Sequence, residues 1–248
     1  MNRIIPKKRW GQNFLIDLNI CNKIVEAIDR SNINKILEIG PGTGAITNLL
    51  AEKIGAVTAI EIDWNLCKIL DDKKIDNLII INQDILKVNL ESFDHKIIVG
   101  NLPYYITTPI IFNFFNSKMP WEEMYFLMQK EVADRILAKP GSKIYGRLTI
   151  MTQIFSNVER LFNVSPKVFR PIPKVESTFM KFKRIKKNNI SDYKRFENII
   201  RIIFNQRRKK LKNCISEDMD LNLLGNSNLL DKRPEQISIQ EYIELINQ

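Results

Sequence analysis

The 248-residue sequence predicts a doubly wound, mainly parallel α/β domain over residues 1–186 and a small all-helical domain over residues 187–248. Three observations predict it. Between Lys35 and Ala138 short, nearly continuous apolar runs alternate with helical patterns, the signature of strands buried on both faces and their crossover helices. A glycine-rich turn, Gly40 to Gly44, directly follows the first of these runs. Beyond a polar linker at 186–192 the pattern becomes purely helical.

The predicted strands lie at residues 36–39, 56–60, 78–81, 97–99 and 124–128. Helices are expected between them, among them 43–54 and 108–115. The latter opens on Thr108 and Pro109, a good N-cap and first helical residue. A helical run at 147–155 and a stretch punctuated by Pro166, Pro171 and Pro173 precede a strand at 178–182, read as a late hairpin that finishes the sheet. In the tail, Phe196, Ile199, Ile200 and Ile203 fall at i, i+3, i+4 and i+7, one apolar face of a helix. Arg207, Arg208, Lys209, Lys210 and Lys212 are expected to continue that helix. Ser238 with Glu241 forms a capping-box pattern ahead of Tyr242, Leu245 and Ile246.

Composition narrows the chemistry. Cys21, Cys67 and Cys214 are odd in number and far apart, which argues against a disulfide framework and a zinc site and for a reducing, cytoplasmic setting. His95 is the only histidine, which argues against histidine triads, histidine-ligated metals and histidine general bases, and a loop position marks it as a surface residue. No apolar run approaches the ~20 residues of a membrane helix, and the basic start lacks the apolar core of a secretory signal. The net charge is +10, and the stretch from Lys181 to Lys212 carries 13 Lys/Arg against two acids, or +11. Such localisation points to a polyanion partner.

Four acid or amide positions sit at successive strand ends. The turn Glu38-Ile39-Gly40-Pro41-Gly42-Thr43-Gly44 is Rossmann-like, but Glu38 ahead of the glycines would repel a pyrophosphate and suits a cationic amino-acid ligand such as the methionine part of S-adenosylmethionine. Glu61 ends the next strand, where a carboxylate can accept both hydroxyls of a ribose. Asp84 follows the third strand and can accept a cofactor's adenine amino group. Asn101-Leu102-Pro103-Tyr104 follows the fourth and is similar to the motif of enzymes that methylate amino groups on bases. An adenine amine is a poor nucleophile, because its lone pair is delocalised into the ring. Two carbonyl acceptors, one of them on Asn101, favour a pyramidal nitrogen aimed at the methyl donor. Tyr104 can stack on an extruded base. No general base is needed, since the methylated amine loses its proton readily, and a cytosine-C5 enzyme would need a nucleophilic cysteine here.

Further segments complete a resemblance that runs nearly end to end: Lys8-Arg9-Trp10-Gly11-Gln12-Asn13-Phe14-Leu15, Lys130-Glu131-Val132-Ala133-Asp134-Arg135, Tyr145-Gly146-Arg147-Leu148-Thr149, Phe169-Arg170-Pro171-Ile172-Pro173-Lys174-Val175 and Phe204-Asn205-Gln206-Arg207-Arg208-Lys209. Together with the strand-end residues, these resemble the KsgA-type family of small-subunit rRNA adenine dimethyltransferases. The resemblance implies a class I methyltransferase sheet, S-adenosyl-L-methionine as methyl donor and no metal. Asn13, Leu15, Gly40, Glu61, Asp84 and Asn101 would hold the donor, and Asn101, Leu102, Pro103 and Tyr104 would line the target adenine. The substrate would be two adjacent adenosines in the 3′-terminal hairpin loop of 16S rRNA, each methylated twice, within an immature small ribosomal subunit, with a part in ribosome biogenesis. The enzyme would be a cytoplasmic monomer, and its basic helix around Arg207 and Lys210 would contact rRNA phosphates.

Two other readings share much of this pattern. An Erm-type methyltransferase of large-subunit rRNA has the same strand-end residues and target atom, but Leu102 and the segments at 145–149 and 169–175 favour the small subunit. A non-catalytic assembly or nucleic-acid-binding factor on the same fold would not need the intact set.

Overall fold

A computed structural model describes residues 6–7, 10–28, 34–185, 190–215, 219, 221 and 227–247. Most of the expected linker at 186–192, together with Lys8 and Arg9, lies outside them.

The chain divides into two compact units. The first comprises Met1–Ala133 with Glu159–Lys183, the second Asp134–Val158 with Arg184–Gln248. The expected boundary near 186 thus has a counterpart at 183/184, but the second unit also takes in 134–158, which the sequence reading assigns to the first. The reason is packing. Helix α6 (Arg147–Phe155) buries Leu148, Thr149, Ile150, Met151, Thr152 and Ile154, on more than one face. It therefore serves as a core helix of the helical unit, packed against α7 (Tyr193–Asn205) and α8 (Ile239–Ile246). Arg147 also pairs with Glu197 at 2.7 Å.

Every predicted strand is present and slightly longer than expected. After β1 (Phe14–Leu15) come β2 (Lys35–Ile39), β3 (Ala56–Glu61), β4 (Leu78–Asn82), β5 (Ile97–Asn101) and β6 (Glu123–Gln129). Three strands follow: β7 (Ser156–Val164), which the sequence reading does not anticipate, then β8 (Phe169–Arg170) and β9 (Ser177–Arg184). The main sheet has seven strands in the order β4-β3-β2-β5-β6-β9-β7, and β1 pairs with β8 apart from it. Strands β4 to β6 run parallel in that order, while β9 is antiparallel to β6. Ile36, Leu37, Val57, Ala59, Ile98, Val99 and the middle of β6 are buried, as apolar strands covered on both faces must be.

Helices α1 (Leu18–Glu26), α2 (Thr47–Lys53), α3 (Trp64–Asp71), α4 (Thr107–Asn116) and α5 (Lys130–Ile136) connect these strands. Asp17 and Asp63 cap α1 and α3, accepting from Ile20 and Asn65. Helix α2 starts four residues later than expected, because the glycine turn keeps 43–46 out of the helix. In α4 the N-cap is Ile106 rather than Thr108, so Pro109 is the third helical residue, still within the first turn, where its missing N–H has no intrahelical partner to lose.

In the second unit Phe196, Ile199, Ile200 and Ile203 are buried, as the periodicity predicts, and the Ser238–Glu241 capping box closes with bonds of 3.2 and 2.7 Å. The basic run does not continue α7. That helix ends at Asn205, a turn follows, and Leu211–Asn213 form a 3-10 turn. Several of its cations are occupied within the unit: Lys210 and Lys212 share Asp231, and Arg207 reaches Glu235 and the Ser142 carbonyl. Arg208 and Lys209 are exposed. His95 is buried rather than on the surface. Its Nε2 lies 3.1 Å from Thr58 Oγ1, and burial pushes its pKa down.

The strand order reverses between β2 and β5, which pair through Ile39 and Gly100. A Cβ on Gly100 would lie 2.8 Å from the Ile39 carbonyl oxygen. Gly100→Ala is therefore expected to force these strands apart and lower stability by about 1–3 kcal/mol, read as a lower urea midpoint; an unchanged midpoint refutes the close packing.

Candidate functional site

A cleft of about 320 Å³ opens where the strand order reverses, at the carboxyl ends of β2, β3, β4 and β5. Its position follows from register. Ile39 stands opposite Ile60 and Gly100, and Glu61 opposite Asn82. The residues one to three places beyond each strand therefore arrive at one sheet edge. Asn13, Leu15, Gly40, Glu61, Asp84, Asn101, Leu102, Pro103 and Tyr104, all singled out from sequence, line this cleft together with Glu38.

The glycine turn forms its floor. Gly42 adopts φ +59°, and a Cβ there would lie 3.1 Å from the Phe14 ring. The Gly42 N–H donates to one oxygen of Glu61 at 3.1 Å and the Asp63 N–H to the other at 2.9 Å. Burial raises the pKa of Glu61, and these two donors counter it. Its carboxylate is thus fixed at the cleft wall. Asp84 accepts from the Leu86 N–H at 3.0 Å, which orients its carboxylate at the end of β4.

Glu38 is buried, and its Oε2 has no hydrogen-bond partner. Burial, with the Glu61 charge adding to it, pushes its pKa up to about 7. A buried acceptor with no partner at a cleft wall is a place for a cationic donor. The set fits S-adenosylmethionine: an orphaned acid for the ammonium, a pinned carboxylate for ribose hydroxyls, Asp84 for an adenine amine, and Ile62, Ile85 and Leu102 as apolar walls.

The loop after β5 supplies the other half. Asn101 Nδ2 donates to the Asn13 carbonyl at 3.0 Å, which defines Oδ1 as the acceptor end of the amide. The Pro103 carbonyl accepts from the Ile106 N–H at 3.2 Å and the Thr107 hydroxyl at 3.1 Å. Tyr104 is held by its hydroxyl, 2.7 Å from Ser177 Oγ. Asn13 is in turn positioned by β1, whose Phe14 and Leu15 pair with Arg170 and Phe169. The segment at 169–175 is thus a support for the cleft.

Sequence reasoning missed Lys7 and Asp63, and it named Gln12 only within the segment 8–15, without a role. Asp63 follows Glu61 by two residues, and its carboxylate accepts from Lys7 Nζ at 2.7 Å and Gln12 Nε2 at 3.2 Å. Burial opposes its charge, but these bonds outweigh that and hold its carboxyl below the usual range. The helix-cap position of Asp63 was the one available signal. Among the described residues no cluster of three or more His, Cys, Asp or Glu is placed to hold a metal ion, and Cys21, Cys67 and Cys214 are free and buried.

Residues 5–247 match the family model for ribosomal RNA adenine dimethylase. The chain is 42% identical to the ribosomal RNA small subunit methyltransferase A of Borreliella afzelii, over 99% of this chain and 89% of that protein. It is 41% identical to the protein of the same name in Legionella pneumophila, over 97% of this chain and 96% of that one. Among solved structures it is similar to a dimethyladenosine transferase from Plasmodium falciparum (TM-score 0.82, 25% identity, 93% of this chain and 94% of that one). It is also similar to the 23S rRNA methyltransferase ErmE, with TM-score 0.72 and 26% identity over 95% of this chain and all of that one.

Glu38 makes stability depend on pH. Below its ordinary value of 4.5 the carboxyl is protonated in both folded and unfolded chains; between there and about 7 only the folded chain keeps the proton. Without ligand, stability should fall as pH rises through that window, by up to about 3 kcal/mol from this group. Glu38→Gln is expected to flatten that limb in urea titrations at pH 5 and pH 8; an equal slope in both proteins would remove Glu38 as the orphaned acid.

Proposed function

The chain belongs to the ribosomal RNA adenine dimethylase family, and we propose that it transfers methyl groups from S-adenosyl-L-methionine to two adjacent adenosines in the 3′-terminal hairpin loop of 16S rRNA, dimethylating each amino nitrogen. The observation that carries this reading is the shared cleft: the orphaned Glu38, the pinned Glu61 and Asp84 lie in one cavity with the Asn101 amide.

The donor supplies an electrophilic methyl on a sulfonium. In this reading Glu38 takes its ammonium, Glu61 its ribose and Asp84 its adenine, with Asn13, Leu15 and Gly40 closing around it. The Asn101 Oδ1 accepts one N–H of the target amine. The Pro103 carbonyl is already engaged, so the second acceptor is the Leu102 carbonyl. Tyr104, tied to Ser177, offers a fixed ring face to the base, a contact of about 1–3 kcal/mol. The proton released on methylation passes to water. His95 precedes the amino end of β5, opposite the strand end that carries this chemistry, is not among the residues lining the cleft and takes no part.

The small subunit is favoured over the large one by relatives at about 40% identity that carry the small-subunit name, and by Leu102 with the segments at 145–149 and 169–175. The physical substrate is an immature subunit, and the enzyme acts as a cytoplasmic monomer with a part in ribosome assembly. Among the described residues no helix is long and apolar enough to cross a membrane. The exposed cations of the basic run outside its pairs with Asp231 and Glu235, Arg208 and Lys209, are its first candidates for rRNA phosphates.

Labelled methyl transfer to small and large subunits lacking these modifications tests the reading. Dimethyladenosine in small-subunit RNA alone is expected; label in large-subunit RNA, or none, sinks it. Asn101→Ala should lower turnover at least a hundredfold while donor affinity stays within about tenfold, and full activity in that variant would discard the amide as the aligning group. Reversing charge at Arg208 and Lys209 should reduce the slope of log affinity against log salt by about two, whereas an unaltered slope means these cations face away from RNA.

A further inference from the structure

The Asn101 amide and the Glu61 carboxylate belong to strands 40 residues apart in sequence, yet both are oriented by groups that meet at Asp63. Asp63 is the N-cap of α3, and for that role its carboxylate needs only the Asn65 N–H, 3.1 Å away. It takes two further donors, Lys7 Nζ at 2.7 Å and Gln12 Nε2 at 3.2 Å, from a segment more than fifty residues upstream. Gln12 in turn accepts from the Lys7 N–H at 2.7 Å, so Lys7, Gln12 and Asp63 form a closed ring. The residue after Gln12 is Asn13, whose carbonyl holds the Asn101 amide. On the other side, Gly11 rests against the Tyr105 ring and Pro103, within the loop that faces the target base. The upstream segment is therefore clasped between the acid that follows Glu61 and the loop that carries Asn101.

We propose that Asp63 is a positioning residue for methyl transfer: its backbone N–H orients Glu61, while its carboxylate, through Lys7 and Gln12, sets the Asn13 carbonyl that fixes which end of the Asn101 amide meets the target amine. Donor site and acceptor site are aligned by one residue, through its backbone on one side and its carboxylate on the other, and that residue is not among those lining the cleft. The Asp63 carboxylate is almost completely buried, and hydrogen bonds from Lys7 and Gln12 hold it ionised, so the ring keeps its charge across the neutral range. This inference rests on the proposed reaction, but the linkage it describes can be read without turnover.

Asp63→Asn separates the two roles. Asparagine caps a helix as well as aspartate does, but it removes the charge that holds Lys7. Lys7→Met breaks the ring from the other side, and Lys7→Arg keeps the charge. The experiment measures side-chain amide hydrogen exchange of Asn101 by 15N NMR in the full-length protein, beside kcat, KM for the donor and melting temperature. Asp63→Asn and Lys7→Met should each speed Asn101 exchange about tenfold, the loss of one hydrogen bond, with a comparable fall in kcat and little change in melting temperature. The double variant should be no worse than either alone, and Lys7→Arg should restore the wild-type values. Unchanged Asn101 exchange in Asp63→Asn overturns the proposal, whether or not the protein methylates subunits. Faster exchange in a protein whose wild type transfers no methyl supports the linkage and overturns only the assigned reaction.

Discussion

The reversal of strand order between β2 and β5 is the constraint on which the rest of the molecule depends. Crossovers leaving these neighbours go to opposite sides, so no chain covers the carboxyl ends of the central strands. The parallel register does the remaining work. Because β2, β3, β4 and β5 are in step, the carboxyl ends of four strands of unrelated sequence, with the turn after β4, bring an acid or an amide to one edge. Gly100 is the narrow point, where a single methyl group would contend with the β2 backbone for the same space.

Charge at this edge is organised by burial rather than by ion pairing. Glu38 and Glu61 are both raised by loss of water, but Glu61 is stabilised by two backbone donors while one oxygen of Glu38 has none. A polar group left in that state is costly in the free protein. In the proposed reading a ligand bearing an ammonium would satisfy it, and part of the selectivity for a cationic donor would then be built into the fold itself.

Much of this was legible in the sequence, for reasons that also explain the omissions. Continuous runs such as Ile36-Leu37 and Ile97-Ile98-Val99 announce buried strands, and the residue just past each run falls at the sheet edge. The cleft residues were therefore recognisable one by one. Strand β7 was not, since Asn157, Glu159, Arg160 and Asn163 make it look like a loop. Asp63 was missed because its meaning lies in Lys7 and Gln12, which no local period connects to it. His95 was misplaced because a loop position was taken for exposure, although a neutral imidazole beside Thr58 and Phe93 is at home in an interior. Composition likewise revealed the basic run but not that Lys210 and Lys212 are already paired with Asp231.

The pairing of β1 with β8 has a consequence for the order in which the molecule is made. Phe14 and Leu15 are synthesised more than 150 residues ahead of their partners, Arg170 and Phe169. Strand β9, which covers the flank of β6, emerges later still. A nascent chain can assemble β2 to β6 first, but until β8 and β9 have emerged it keeps an open apolar sheet margin and a cleft without the support of β1. The β1–β8 pairing that positions Asn13 is thus completed only after the parallel strands have been made. During that interval β6 is the strand most in need of shielding from other chains.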